Sequence, residues 1–580
     1  MTGKTDFITM QVIRYAMEQI ADEMGHTLVR TARSTVIKEI MDISCAVFDH
    51  KGRTIAQAHH APMLLTGLEI TMSRLLQEYP PGMLQDGDII ISNDPYMGGQ
   101  HIMDVQLFAP VFFEGELVGY VGSLAHMVDM GGASPGGVAG GVNEIYLEGL
   151  RLPMVKLYKG YKEDKEIFGI LQNNIRVPHV TLGDIRAMAS CNYVGVRRLQ
   201  DVFTKYGVET VQDATAMLMD YSERRMREGL QAIPDGTYTG VDYIDDDGLS
   251  DDPIKIQINI IKKGDGIKVN FDGTSKQVKG NINCPIATTY AGVYYTIICV
   301  VDPSVAANSG CYRPVKLDVE EGLIVNPRMP GAVASRTNTS QKIVEAMLKA
   351  FSTAIPDRVV AGSHGQISTC AFSSYDKKGR RFVYTEIQGG GAGARPTKDA
   401  REGQDSHLAR FMNTPVEAAE MEFPVRVECY EFIPDTGGAG KFRGALSMRK
   451  DIRFLCDNVS FARYGDRQKF GPFGLFGGSE GAMGRFILNP GKPGEKRMRS
   501  KGLDTLQYDD VISLQLPGGG GYGNPLERDP ELVKQDVLDG KISLATAKDT
   551  YGVILNPADL AVQQQATEQQ RQEMGKIALK

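Results

Sequence analysis

The sequence predicts an α+β protein of several domains, mixing helices with antiparallel sheets and ending in a β-rich, glycine-rich C-terminal half. Three observations carry this expectation. The chain has 580 residues, enough for two or more domains with large cores. Stretches of helical period alternate with strand-like stretches through its first part. After about residue 360, strands are punctuated by GGGAGARP, PDTGGAGKFRG, GPFGLFGG and PGGGGYG, part of a total of 65 glycines. The expected divisions are 1–235, an N-terminal α/β domain; 236–360, a central sheet and helix domain; 361–530, the β-rich domain; and 531–580, a helical tail.

The elements follow in order. Ile8, Val12, Ala16, Ile20, Met24 and Leu28 recur every four residues, which predicts an amphipathic helix over 7–34. DISCAVFDHKGRTIAQ reads as strands around a turn at Asp49 to Gly52, with Asp42 at the start of the first. Met63 to Tyr79 predicts a helix and Asp88 to Ser92 a short buried strand running into the loop NDPYMGGQH. Val105 to Phe113 and Glu116 to Ala125 form a hairpin about Glu114-Gly115. A two-residue loop alone would set Asp104 opposite Ala125, whereas a longer loop or a bulge would set it opposite His126 on the same face. GGASPGGVAGG, at 131–141, holds six glycines and must be irregular. Helices are predicted at Leu182 to Tyr206 and Val211 to Ala232, an antiparallel sheet over Tyr238 to Phe271, and two apolar helices at Ala287 to Val301 and Thr339 to Ala354. The helical tail begins near Pro530 and ends in a Gln-rich, solvated stretch at 563–571; no internal repeat of fixed period is present.

Composition narrows the function. Lys and Arg total 64 against 71 Asp and Glu, a formal charge of −7, where a nucleic-acid surface calls for a basic excess. The eight cysteines lack any C-x-x-C spacing and read as scattered cytosolic thiols. The most apolar run, Tyr294 to Val301, is far short of the ~20 residues that cross a bilayer. A cytoplasmic protein without nucleic-acid or membrane partners is the expectation.

Asp42, His101, Asp104 and His126 are the most informative constellation. Two imidazoles and two carboxylates suit Zn²⁺, Mn²⁺ or Fe²⁺. The H-x-x-D spacing by itself favours a loop hydrogen bonder at His101 and a strand-start cap at Asp104 over a metal site, and the hairpin that returns His126 towards Asp104 shifts the balance towards the metal. Asp129 has three readings, as a ligand, as a group orienting His126, or as a turn residue, with the turn favoured. His59 and His60 are adjacent, so on a strand they point to opposite sides and cannot chelate one ion together. GGGAGARP is not a G-x-G-x-x-G opening a helix, because Pro396 follows at once, and Arg395 and Lys398 suit a solvated turn better than an anion site. No glycine cluster continues into the G-K-[ST] of a P-loop, and no G-x-S-x-G elbow is present.

At these segments the chain resembles the hydantoinase B/oxoprolinase family, with matches running nearly end to end: GDIIISNDPYMGGQHIMDVQLFAPVF, LAHMVDMGGASPGG, VKGNINCPIATTYAGVYY, NSGCYRPV, DTGGAGKFRG and PGGGGYGNPLERDP among them. The resemblance implies the metal-binding subunit of an ATP-dependent cyclic amide hydrolase opening a hydantoin, 5-oxoproline or lactam ring. ATP and Mg²⁺ would sit on a partner, a hydantoinase A/oxoprolinase-type ATPase subunit, in a heterotetramer of two copies of each. The family's ligand and catalytic positions fall on Asp42, His101, Asp104 and His126, which makes 1–235 the metal-site domain, with zinc first and manganese or iron as the other choices. Gln100 stands where the family has Thr before the histidine, a change expected to alter the pocket and leave ligation intact. The chemistry implied is phosphorylation of the amide oxygen to an imidate-like species, with the metal as Lewis acid or as activator of water, and a bicarbonate-assisted route beside it. The alternative within the resemblance is a subunit of an ATP-dependent acetone/acetophenone-type carboxylase; from another class comes a non-catalytic scaffold for the ATPase.

Overall fold

The computed structural model describes residues 5–137, 140–405 and 407–578. Asp6 caps the opening helix, Phe7–Thr31, by accepting from the Ile8 and Thr9 amides. That helix stops before residue 34, because the Arg33 and Ser34 amides turn away to the Asp184 carboxylate and Ser34 then caps a separate turn, Thr35–Lys38.

The first sheet has seven strands: β1 (Ile43–Asp49), β2 (Thr54–Gln57), β3 (Ile89–Ser92), β4 (Asp104–Phe113), β5 (Glu116–His126), β6 (Val155–Lys159) and β7 (Lys162–Glu163). Their order is β2-β1-β5-β4-β3-β6-β7, antiparallel throughout. Both faces are buried, so its central strands carry apolar side chains on each side. Ile43, Cys45, Val105, Leu107, Val121 and Ala125 pack into one core with the Phe7–Thr31 and Pro178–Tyr206 helices. Ala46, Phe48, Phe108, Tyr120 and Leu124 take the opposite side, against the Pro62–Glu78 helix. The glycine-rich 131–141 segment is irregular where described, with Gly131, Gly132, Gly136, Gly137 and Gly141 at positive φ; Val138 and Ala139 lie outside the described residues.

The second sheet comprises β8 (Gly236–Ile244), β9 (Ile254–Lys263), β10 (Gly266–Asn270) and β11 (Val315–Asp318) in the order β11-β10-β9-β8. It is antiparallel except for the β10–β11 pair, which is parallel. The Arg336–Phe351 helix packs on β8 and β9, and the Ile286–Val301 helix packs against that helix and the Pro62–Glu78 helix. In the C-terminal half, Ser368–Tyr375, Arg381–Gln388, Val459–Tyr464 and Lys501–Leu506 form a four-stranded antiparallel sheet, and a five-stranded one is built around Ser447–Phe454 and Val511–Gln515. The chain is thus α+β, with mixed helices and several sheets. Among the described residues all eight cysteines are unpaired, and no helix is long and apolar enough to cross a membrane.

One element departs from its expectation. The Arg336–Phe351 helix is apolar only in part: beside Ile343, Val344, Met347 and Phe351 it buries Arg336, Asn338, Thr339, Ser340, Gln341, Lys342 and Glu345. Its polar groups are spent inside the molecule, as where Lys342 donates to the Gly365 carbonyl and pairs with Asp466 at 2.8 Å. An unpaired buried charge would be costly, and such pairing lets a charged side chain sit in the core beside Ile343, Val344, Met347 and Phe351 of the same helix.

Candidate metal centre

Three adjacent strand ends supply most of the site. Ile43 of β1 faces Ala125 of β5, so Asp42 lies beside His126, whose amide donates to the Asp42 carbonyl at 3.1 Å. Asp104 of β4 lies directly opposite His126. Strand side chains alternate, which sends Asp42, His126 and Asp104 to one face while Ile43, Val105 and Ala125 take the other. A bulge decides this register. Glu114 and Gly115 close a two-residue turn with φ of 51° and 86°, and the pairing then slips by one residue at Val111/Phe112. Without that slip Asp104 would face Ala125.

His101 comes from the loop between β3 and β4. Asn93 anchors the loop by donating to the Ile102 and Leu150 carbonyls and accepting from the Leu152 amide. Gly98 turns the chain at φ 106°, and a Cβ there would lie 2.8 Å from the Thr71 amide, so only glycine brings the loop so close to the Pro62–Glu78 helix.

The donor atoms converge. His101 Nε2 lies 3.0 Å from Asp104 Oδ1 and 3.2 Å from His126 Nδ1, and His126 Nδ1 lies 3.4 Å from Asp104 Oδ1. Asp42 approaches more loosely, with Oδ2 3.6 Å from His126 Nδ1, and falls outside the tight His101, Asp104, His126 group. His101 Nδ1 is 3.0 Å from the Ala334 carbonyl, an acceptor only. That nitrogen therefore carries the proton, and Nε2 turns a lone pair inward. The Oδ1 atoms of Asp42 and Asp104 are buried with no hydrogen-bond donor, which is unfavourable unless a cation takes them up. Tetrahedral ligands at 2.0–2.1 Å stand about 3.3 Å apart, and the observed separations match. The residues present fit a divalent ion.

The electrostatics agree. Burial pushes the His101 imidazolium down to about 4, with the Arg336 guanidinium adding to the effect and Asp104 opposing it, so this ring is neutral at pH 7. Burial would raise the Asp104 carboxyl, but Arg336, then His101, outweigh it and hold the group well below the usual carboxylate range. For Asp42 burial wins, pushing it up to about 7, with His126 opposing, Asp104 adding to the rise and Arg336 opposing it further.

Sequence reasoning missed Arg336. Its Nη2 donates to Asp104 Oδ2 and, at 3.2 Å, to Gln100 Oε1. Gln100 in turn donates to the Met63 carbonyl. Gln100 thus links the loop to a helix and to the arginine. The available signal was the polar run SRTNTSQK, which could not be an exposed face in so apolar a neighbourhood. Ala334 to Thr337, Tyr464, Thr369 and Phe411 close a cavity of ≈ 30 Å³ over the donors, room for one or two waters.

The remaining candidates lie elsewhere. Asp129 is a turn residue: its carboxylate accepts from the Gly131, Gly136 and Arg176 amides and pairs with the Arg176 guanidinium. His59 is exposed beside Asp22, and His60 packs on Gly25; both line a separate cavity of ≈ 810 Å³. Arg395 bonds locally to the Asp399 carbonyl in its turn, and Lys398 is exposed.

Comparison with known proteins bears on this geometry. A family model described as hydantoinase B/oxoprolinase matches residues 6–525. An uncharacterised protein of Methanocaldococcus jannaschii is 36% identical over 98% of this chain and 100% of its own. The caprolactamase subunit beta of Pseudomonas jessenii is 31% identical over 95% of this chain and 96% of its own. The crystal structure of the ATP-dependent caprolactamase from Pseudomonas jessenii superposes with a TM-score of 0.91 at 29% identity, covering 98% of this chain and 100% of that one. A nucleotide-free acetone carboxylase structure shares the fold, with a TM-score of 0.91 at 17% identity over 99% of this chain and 83% of that one.

Proposed function

The chain belongs to the hydantoinase B/oxoprolinase family, and from that premise we propose that it is the metal-binding subunit of an ATP-dependent cyclic amide hydrolase, acting on a hydantoin, 5-oxoproline or lactam with ATP bound by a partner ATPase subunit. The observation that carries the reading is the convergence of His101, Asp104 and His126, with Asp42 beside them, on buried lone pairs that lack donors. The whole-length likeness to a caprolactamase subunit supports the reaction class, and the absence of a P-loop sequence agrees with ATP belonging to the partner.

His101, Asp104, His126 and Asp42 would hold the ion, zinc in the first instance. When bound, such an ion supplies a Lewis acid at the cavity. The chain's own groups do the rest. Ala334 fixes the His101 tautomer, and Arg336 keeps Asp104 ionised and pinned by its Oδ2 so that Oδ1 points inward. Ile367, Ile387, Phe411 and Met63 exclude bulk water, which strengthens every charge interaction inside. Ring opening breaks the amide C–N bond and consumes two waters, one added across that bond and one taken up as ATP becomes ADP and phosphate.

The test is a substrate panel on the chain co-expressed with its ATPase partner. Ring-opened amino acid formed only with ATP, without net uptake of labelled bicarbonate, is the expected result. Label fixed into a β-keto acid would instead make the pair a carboxylase, and undiminished turnover by His101→Ala would leave the chain a scaffold.

A further inference from the structure

The helix that begins at Arg336 has an N-terminus built in an unusual way. Serine at an N-cap ordinarily accepts from an amide of the first turn, yet Ser335 makes no such bond. Its Oγ is buried without any partner, as is the Nε of Arg336, and both residues are only 2% exposed. The Arg336 and Asn338 amides donate to the Val333 and Ser335 carbonyls, and among the described residues no backbone acceptor takes up the Thr337 amide. Ser335, Arg336 and Thr337 all line the cavity that also holds Asp42, His101 and His126.

We propose that this helix N-terminus is an oxyanion site, in which Ser335 Oγ, Arg336 Nε and the Thr337 amide receive the oxygens of a phosphoryl or carboxylate group beside the metal centre. The three donors share one cavity, and the first turn of a 16-residue helix adds its positive end. Charge points the same way. One guanidinium and a divalent ion against the two carboxylates of Asp42 and Asp104 leave a single positive charge, which a small monoanion neutralises. The cavity, at ≈ 30 Å³, admits the oxygens of such a group and no ring. The inference rests on the reading given under Proposed function for the origin of the anion, either the phosphoryl group of an activated amide or a bicarbonate-derived carboxylate. The donors themselves stand apart from that reading.

Calorimetric titration of the full-length, metal-loaded protein with inorganic phosphate tests it, with Ser335→Ala and Arg336→Lys beside the wild type. Ser335→Ala should weaken phosphate binding about tenfold, as loss of one hydrogen bond to a charged group does, with an unchanged melting temperature because the hydroxyl caps nothing. Arg336→Lys keeps the charge, loses Nε and should weaken binding at least as much. Bicarbonate that displaces phosphate identifies a carboxylate as able to occupy the site; failure to displace it assigns the site to the phosphoryl group. Equal phosphate affinity in wild type and Ser335→Ala, or no binding to the wild type at about 10 mM, overturns the proposal. Binding is read without turnover, so a protein inactive on every cyclic amide can still pass, and an active one can still fail.

Discussion

Asp104 is the residue on which the site's charge balance turns, and Arg336 is what keeps it ionised. Removing one partner of a buried pair strands the other. In chelator-treated protein, Arg336→Met should cost about 3–5 kcal/mol in urea unfolding, and adding Asp104→Ala should recover much of the loss; a strictly additive double variant would show that the two side chains do not interact. A second residue reports through pH. Glu148 accepts from the Val333 and Ala334 amides, both at 2.7 Å, and so fixes the carbonyl that orients His101. Burial, opposed by those two bonds, pushes its carboxyl from the ordinary 4.5 up to about 8. The folded state thus holds this proton more tightly than the unfolded chain does. Its contribution to stability is whole below pH 4.5 and is lost as pH rises through about 8. Glu148→Gln keeps an acceptor without a charge, so its melting temperature between pH 5 and 8.5 should fall less than that of the wild type, by about 2 °C; parallel curves would contradict this. Of these residues, only Asp104 was legible in the sequence. H-x-x-D followed by a hairpin and a histidine is a local signal, whereas Arg336 and Glu148 reach the site from 232 and 185 residues away from the groups they bind, and no spacing rule sees that.

Among the elements, those of strong period were read closely from the sequence. The helix expected at Met63 to Tyr79 is Pro62–Glu78, and that at Ala287 to Val301 is Ile286–Val301. The β4–β5 hairpin was legible to within one residue, the uncertainty being the bulge, which depends on how both strands pack and not on their alternation. The Arg336–Phe351 helix was placed but read as apolar throughout, because Ile343, Val344, Met347, Leu348 and Phe351 set its pattern, while Asp466 and the Gly365 carbonyl, which take up the buried Lys342, lie far off in sequence. Its close seat on β8 has a sharp requirement. A Cβ on Gly240 would overlap the Ala346 carbonyl, and backbone cannot yield as a side-chain tip can. Gly240→Ala should therefore cost about 3 kcal/mol or more, as overpacking against backbone does, and should lower metal content by displacing Arg336. Wild-type stability in that variant would mean that the helix sits farther from the sheet.

At the scale of the molecule, the site belongs to no single sheet. The seven-stranded sheet gives Asp42, Asp104 and His126, the helix on the second sheet gives Ser335 and Arg336, and the C-terminal half closes the cavity with Thr369 and Tyr464. Resemblance along the whole sequence could point to such an assembly, but composition and periodicity could not, because they describe segments one at a time. The assembly leaves a cavity smaller than any cyclic amide, so under the proposed function the reacting end of such a ring would enter first or the walls would part. The chain alone should not hydrolyse ATP, whereas the co-expressed pair should couple ATP hydrolysis to ring opening; ATPase activity in the isolated chain would contradict the division of labour. The most direct measurement is elemental analysis of the purified protein beside His101→Ala and Asp104→Ala. About one divalent ion per chain in the wild type, falling at least tenfold in both variants, is the predicted result. Full metal retained by either variant, or a wild type that takes up no ion on reconstitution, would contradict the account.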